Sequence, residues 1–161
     1  MAATETPTRT IKVPMAGLEL GRAPDVLETL LGSCIGVAVW DPSTGHGGLA
    51  HVMLPSSNGA TTMPGKFADT AIAELKRRLL ANGANPLCLK AKLAGGATMY
   101  GNKTPQDIGA RNYEASVQGL QKEKILLLAE DVGGSHGRII RLSLSDGRLC
   151  IASQKSLTRE I

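Results

Sequence analysis

The stretch LLGSCIGVAVWDPSTGHGGLAHVMLP, residues 30 to 55, holds Cys34, His46 and His51, and Cys34 with His51 is the pair that could do chemistry. A thiol is mostly protonated at neutral pH. An imidazole that takes its proton leaves the thiolate, which is the reactive nucleophile. Gly32 and Ser33 precede Cys34 and let the chain turn tightly there. A backbone N–H of Ser33 or Cys34 would then meet the oxyanion of an attacked amide. The competing reading is plain burial, because free cysteine is among the most buried residue types and most such thiols are inert.

Whether the two groups meet depends on a hairpin. Ile35, Val37 and Val39 alternate with small residues at strand period, DPSTG over 41–45 is dense turn chemistry, and Leu49 to Leu54 reads as the return strand. If the turn is centred on Pro42-Ser43, Trp40 faces Gly45, Ile35 faces Ala50 and Cys34 faces His51. Residues so opposed share a face with Cβ atoms about 4.5 to 5.5 Å apart. A bulge at Gly45, Gly47 or Gly48 that slips the register by one residue would send His51 to the other face.

The other candidate groups read more plainly. His46 sits in a glycine-rich turn and reads as a surface residue. Cys34, His46 and His51 lack a zinc-ligand spacing, and no cofactor is expected. His136 lies in GGSHGR, a turn between strands in which no phosphate-loop lysine follows the glycines. Cys88 and Cys150 fall in apolar strand patterns and read as core.

The elements that must position these groups alternate along the chain. Strands are expected over 10–15, 26–31, 35–39, 49–54, 87–93, 125–128, 139–144 and 149–152, with SDG at 145–147 joining the last two as a hairpin. Helices are expected from about 66 to 82, with Ala68, Ile72, Leu75 and Leu79 at helical spacing and Gly83 as cap, and from about 108 to 122, with Tyr113, Val117 and Leu120 on one side. Strands outnumber helices and come in hairpins. This predicts an α+β domain, a layered mixed or antiparallel sheet with helices on one side. Residues 1–8 read as a disordered N-terminal arm and 9–161 as a single domain.

Composition narrows the function. Hydrophobic residues make up 42% and charged residues 20%, an ordinary globular balance with enough length for a core. The net charge of +4 is scattered, and only Trp40, Phe67, Tyr100 and Tyr113 are aromatic, so a nucleic-acid partner is not expected. Three cysteines without a C-x-x-C point to free thiols in a reducing compartment. The N-terminus shows no apolar signal region and no run is long enough to insert in a membrane, so a cytoplasmic location is expected.

Several blocks together carry a resemblance. LGSCIGVAVWD, GGLAHVMLP, KFADTAIAEL, AKLAGGATMY, IGARN and LLAEDVGGSHGR, spread over roughly residues 25 to 150, resemble the CheD family, the chemoreceptor glutamine deamidases of bacterial and archaeal chemotaxis. The resemblance implies a fold shared with cysteine-dependent toxin deamidases and a Cys-His-Thr triad that converts receptor glutamines to glutamate. Its nucleophile falls on Cys34 and its histidine on His51. Its threonine, expected in the strand leading to LGSC six residues before the cysteine, falls on Glu28, with Thr29 one residue later. One step along a regular strand changes face. Thr29 is the first choice and Glu28, as a carboxylate that orients imidazole, the second. The implied partners are the cytoplasmic helical domain of a chemoreceptor and a CheC-type phosphatase. Two other functions fit the same residues: a binding module for receptor or CheC with little catalysis, and a receptor glutamyl methylesterase.

Overall fold

A computed structural model describes residues 7–99, 107–153 and 158–161. The predicted arm over 1–8 therefore lies outside the described residues for all but its last two positions. The fold is α+β, with two five-stranded mixed sheets and two main helices. One sheet runs β1 (Thr10–Lys12), β3 (Val26–Leu31), β8 (Arg138–Ser143), β9 (Leu149–Ser153) and β10 (Arg159–Glu160). The other runs β2 (Leu18–Arg22), β5 (His46–Val52), β4 (Ile35–Trp40), β6 (Lys90–Gly95) and β7 (Leu126–Val132). Among the strands of the described residues, β1/β3 and β6/β7 pair in parallel and the rest antiparallel.

Alternation in β4 explains the layering. Ile35, Val37 and Val39 join one apolar cluster with Ile72, Leu75 and Leu79 of α1 (Ala68–Ala81) and Leu120 of α2 (Ile108–Lys122). Ala38 and Trp40 join the other, with Leu27, Leu31, Ile140, Leu142 and Leu149 of the facing sheet. The second sheet is thus the middle layer, and both helices cover its outer face, as the pattern predicts. Every residue of β4 is buried, which is why its IGVAVW carries no charge.

The boundaries differ where turns intervene. The helix expected from 66 begins at Ala68, after a 3-10 turn at Pro64–Lys66. Gly83 closes it at φ 108°, and Leu87 to Leu89 form a turn before β6, with Leu87 exposed. Cys88 and Cys150 are half-exposed rather than core. The strand β2 has no counterpart in the apolar pattern, because LELGR offers only two apolar residues.

Candidate functional site

The hairpin register differs from the expected one by two residues. Gly36 faces His51 and Ile35 faces Val52. The turn is centred one residue later because Asp41 organises it: its carboxylate accepts from Ser43 N at 2.8 Å, Ser43 Oγ at 2.6 Å and Thr44 Oγ1 at 2.8 Å, and its N–H donates to His46 O. Cys34 is therefore not opposite His51. A shift of two keeps the face, however. His51 turns to the inter-sheet side with Gly36, and Cys34, two residues before Gly36, packs against the same inter-sheet core.

The facing sheet supplies a partner. Leu27, Thr29 and Leu31 of β3 point inward, and Thr29 Oγ1 lies 2.8 Å from His51 Nδ1, with both residues buried. The register of β3 against β8 is unbroken from Val26 to Leu31, so no bulge is needed. Glu28 turns to the outer face and pairs with Arg141 at 2.8 Å. Of the two residues that compete for the imidazole, the structure brings Thr29 to it and sends Glu28 away.

Proton counting fixes the ring. Thr29 Oγ1 also lies 2.8 Å from the carbonyl of Val13, which only accepts, so its single hydroxyl proton goes there. At His51 the hydroxyl is then the acceptor and Nδ1–H the donor. The neutral imidazole is held with Nε2 unprotonated.

Cys34 and His51 are both biased toward neutrality. Burial pushes the Cys34 thiol up from its ordinary value and pushes the His51 imidazole down. Among the described residues the thiol has no hydrogen-bond partner. Burial thus favours the neutral form of each group.

The loop that carries Cys34 is pinned from behind. Gly32 O accepts from Ala97 N at 3.0 Å and Cys34 O from Gly96 N at 2.8 Å. Gly95 and Gly96 both have positive φ, and a Cβ on Gly95 would collide with the Cys34 carbonyl oxygen. Asn112 of α2, fully buried, donates from Nδ2 to Ser33 O at 3.3 Å and to Met53 O at 3.0 Å. Periodicity marks only the apolar side of that helix, so a polar residue on its buried stripe between Gly109 and Ser116 is the one signal that points to Asn112.

The hollow beside Met99 is lined by neither Cys34 nor His51 and mixes apolar and polar side chains. It measures about 510 Å³ and is lined by Leu30, Met99, His136, Arg138 and Ile139, and Met99 lies over Gly32. His46 lies five residues before His51 on one strand, about 17 Å away and on the opposite face, so the two do not converge with Cys34 on a metal.

Fold and site together define a two-sheet α+β domain with a threonine-held histidine and a cysteine at the seam between the sheets. The chain belongs to the CheD family. The family model for CheD chemotactic sensory transduction matches residues 53–153. A probable chemoreceptor glutamine deamidase CheD of Methanococcus vannielii is 45% identical over 143 residues, 88% of this chain and 93% of that one. The chemoreceptor glutamine deamidase CheD of Thermotoga maritima is 46% identical over 129 residues, 80% of this chain and 82% of that one. At 88% of this chain, the match to the Methanococcus relative takes in the span that holds the site. With a TM-score of 0.47 and 9% identity over 80% of this chain and 64% of the other, a Neisseria meningitidis crystal structure of the DUF152 family is too distant to add to the fold. Among the described residues no helix is long and apolar enough to cross a membrane.

Proposed function

We propose that this chain deamidates chemoreceptor glutamines to glutamate through a cysteine acyl-enzyme, with Cys34 as nucleophile, His51 as acid–base and Thr29 as the residue that orients the histidine. The observation that carries the reading is the Thr29–His51 contact, which leaves Nε2 free to take a proton. The names of the relatives supply the substrate class.

The thiol of Cys34 adds to the side-chain carboxamide carbon of a receptor glutamine while its proton passes to His51 Nε2. The carbonyl oxygen becomes an oxyanion and meets the N–H groups of Ser33 and Cys34. The C–N bond then breaks, His51 returns the proton to nitrogen, and ammonia leaves a thioester. Water gives a proton to His51 as it adds to the thioester. The sulfur leaves and takes that proton back, and the glutamyl acid is released. Burial lowers His51 and raises Cys34, so proton transfer and attack go together.

The product carries a charge where the substrate had none, and on a helical bundle that alters repulsion between neighbouring helices. Leu30, Met99 and Ile139 are exposed together, and Met99 reaches Gly32 of the Cys34 loop, which gives a receptor helix an apolar approach. A CheC-type phosphatase is the second partner of this reading, and the cytoplasm its location, where the free thiols stay reduced.

The test is incubation with a receptor cytoplasmic fragment, with ammonia release and the amide-to-acid mass change at glutamine as readouts. Wild type gives both and Cys34→Ala neither, while His51→Ala loses roughly 10²- to 10⁴-fold in rate. Undiminished activity in Cys34→Ala overturns the mechanism. Ester hydrolysis without ammonia release would instead make the chain a methylesterase, and binding without either product would make it a binding module.

A further inference from the structure

We infer that Asn112 is the positioning residue of the oxyanion donor: its side-chain amide holds the Ser33–Cys34 peptide so that the Cys34 N–H faces the reacting carbonyl. The inference rests on the deamidase reading above. In a planar trans peptide the C=O and the following N–H point in opposite directions. Ser33 O is drawn toward α2 by Asn112 Nδ2, and Gly32 O is drawn toward β6 by Ala97 N. The N–H groups of Cys34 and Ser33 are thereby turned the other way, and among the described residues neither has a hydrogen-bond partner.

The choice of residue argues for the donor. Asparagine is a weak helix former, and here it is fully buried inside a helix. Its Oδ1 has no partner among the described residues. Reversing the amide would set that oxygen against two carbonyls, so the orientation is fixed by its neighbours. The helix keeps a buried acceptor unsatisfied while both amide protons serve Ser33 and Met53. Those two carbonyls flank the chemistry. One precedes Cys34 directly, and the other lies two residues after His51. Asn112 thus ties the nucleophile loop to the histidine strand.

The experiment compares wild type, Asn112→Ala, Asn112→Asp and Cys34→Ala as full chains, each checked by circular dichroism. Two rates are read: deamidation of the receptor fragment, and alkylation of Cys34 by iodoacetamide. Alkylation is a direct displacement at sulfur and needs no oxyanion donor. Asn112→Ala lowers kcat by roughly 10- to 100-fold, somewhat less than deleting a donor outright. KM and the alkylation rate stay within about twofold, because substrate contact and the thiol itself are untouched. Asn112→Asp keeps the volume but presents acceptors to both carbonyls, and it loses at least as much.

An unchanged kcat in both variants overturns the inference and leaves the deamidase reading standing. Parallel loss of deamidation and alkylation also overturns it, since Asn112 would then hold the sulfur. Deamidation that persists in Cys34→Ala removes the reading itself and the inference with it. If neither Asn112 variant folds, wild-type NMR decides: both Asn112 amide protons exchange slowly, and rapid exchange refutes the two hydrogen bonds.

Discussion

Thr29 and Glu28 are adjacent in sequence and differ in what they face. Thr29 accepts from His51 Nδ1 and donates to Val13 O, whereas Glu28 meets Arg141 on the outer surface. Thr29→Ala therefore lowers kcat by roughly 10- to 100-fold, the low end of what acid–base machinery supplies. It also costs about 1–3 kcal/mol, because a buried ring N–H and the Val13 carbonyl lose their partner. Thr29→Ser keeps the hydroxyl and most of the rate, and Glu28→Gln leaves the rate unchanged. Steady-state kinetics on the three variants decides, and a dead Glu28→Gln would reverse the assignment. The burial that sets this geometry also sets a pH response. His51 in the folded chain takes up its proton at lower pH than in the unfolded chain, so the unfolded state binds more protons and stability falls as pH drops below about 6.5. Cys34 is raised, so the unfolded thiol ionises first and stability also falls above about pH 9. Denaturant titrations across that range show a plateau between the two limbs, and His51→Ala flattens the acid one. At this scale the sequence was legible as far as residue types: Cys34 and His51 stood out, while the face of Thr29 depended on where β3 begins.

An element is decided by its turn more often than by its strands. Alternation in IGVAVW and the glycines of GHGGLAHV announce the β4–β5 hairpin, but they leave its centre free by one residue. Asp41 removes that freedom by accepting from Ser43, Thr44 and Asn85 N, the last at 2.7 Å across to the loop after α1. Burial alone would raise its carboxyl. The hydrogen bonds from Asn85, Ser43 and Thr44 outweigh that and hold it at about 2. A carboxylate depressed from 3.8 to about 2 contributes roughly 2–3 kcal/mol above pH 4, lost as pH falls through the folded value. Asp41→Asn forfeits that stability at neutral pH and shows a shallower acid limb in guanidinium unfolding. Equal stability of the two proteins at pH 7 would mean the turn is centred by something else. This long-range anchor explains the two-residue difference in register: nothing in DPSTG itself reveals that Asn85 will reach its carboxylate. The helices were easier to place, because α1 carries its own buried stripe of Ala68, Ile72, Leu75 and Leu79. The short β2 is placed by pairing with β5 and by Leu18 and Leu20 packing into the helix-side core, which no local pattern announces.

The site belongs to the packing of two sheets, since Thr29 comes from one, His51 from the other, and Cys34 from the loop that joins them. One close contact between the sheets lies at the ladder positions of these residues. Thr29 pairs across its ladder with Ile140, and His51 pairs across its own with Gly36. Ile140 fills the space a side chain on Gly36 would need: a Cβ there would stand 2.6 Å from Ile140 Cδ1 and 3.0 Å from Leu31 Cδ1. The interior is packed too densely to absorb this without a shift. Gly36→Ala displaces the Ile140 and Leu31 side chains at the ladder positions that carry Thr29 and His51, at a cost of about 1–3 kcal/mol for overpacking. The Thr29–His51 bond lengthens, and kcat falls with stability. Ile140→Val removes the colliding Cδ1 and by itself costs about 0.5–1.5 kcal/mol. Joined to Gly36→Ala, it restores both melting temperature and kcat above those of Gly36→Ala alone, although each change is harmful singly. That sign of coupling is expected of neighbours that share one space. A double variant that shows only the sum of the two losses would mean that the gap between the sheets is governed elsewhere.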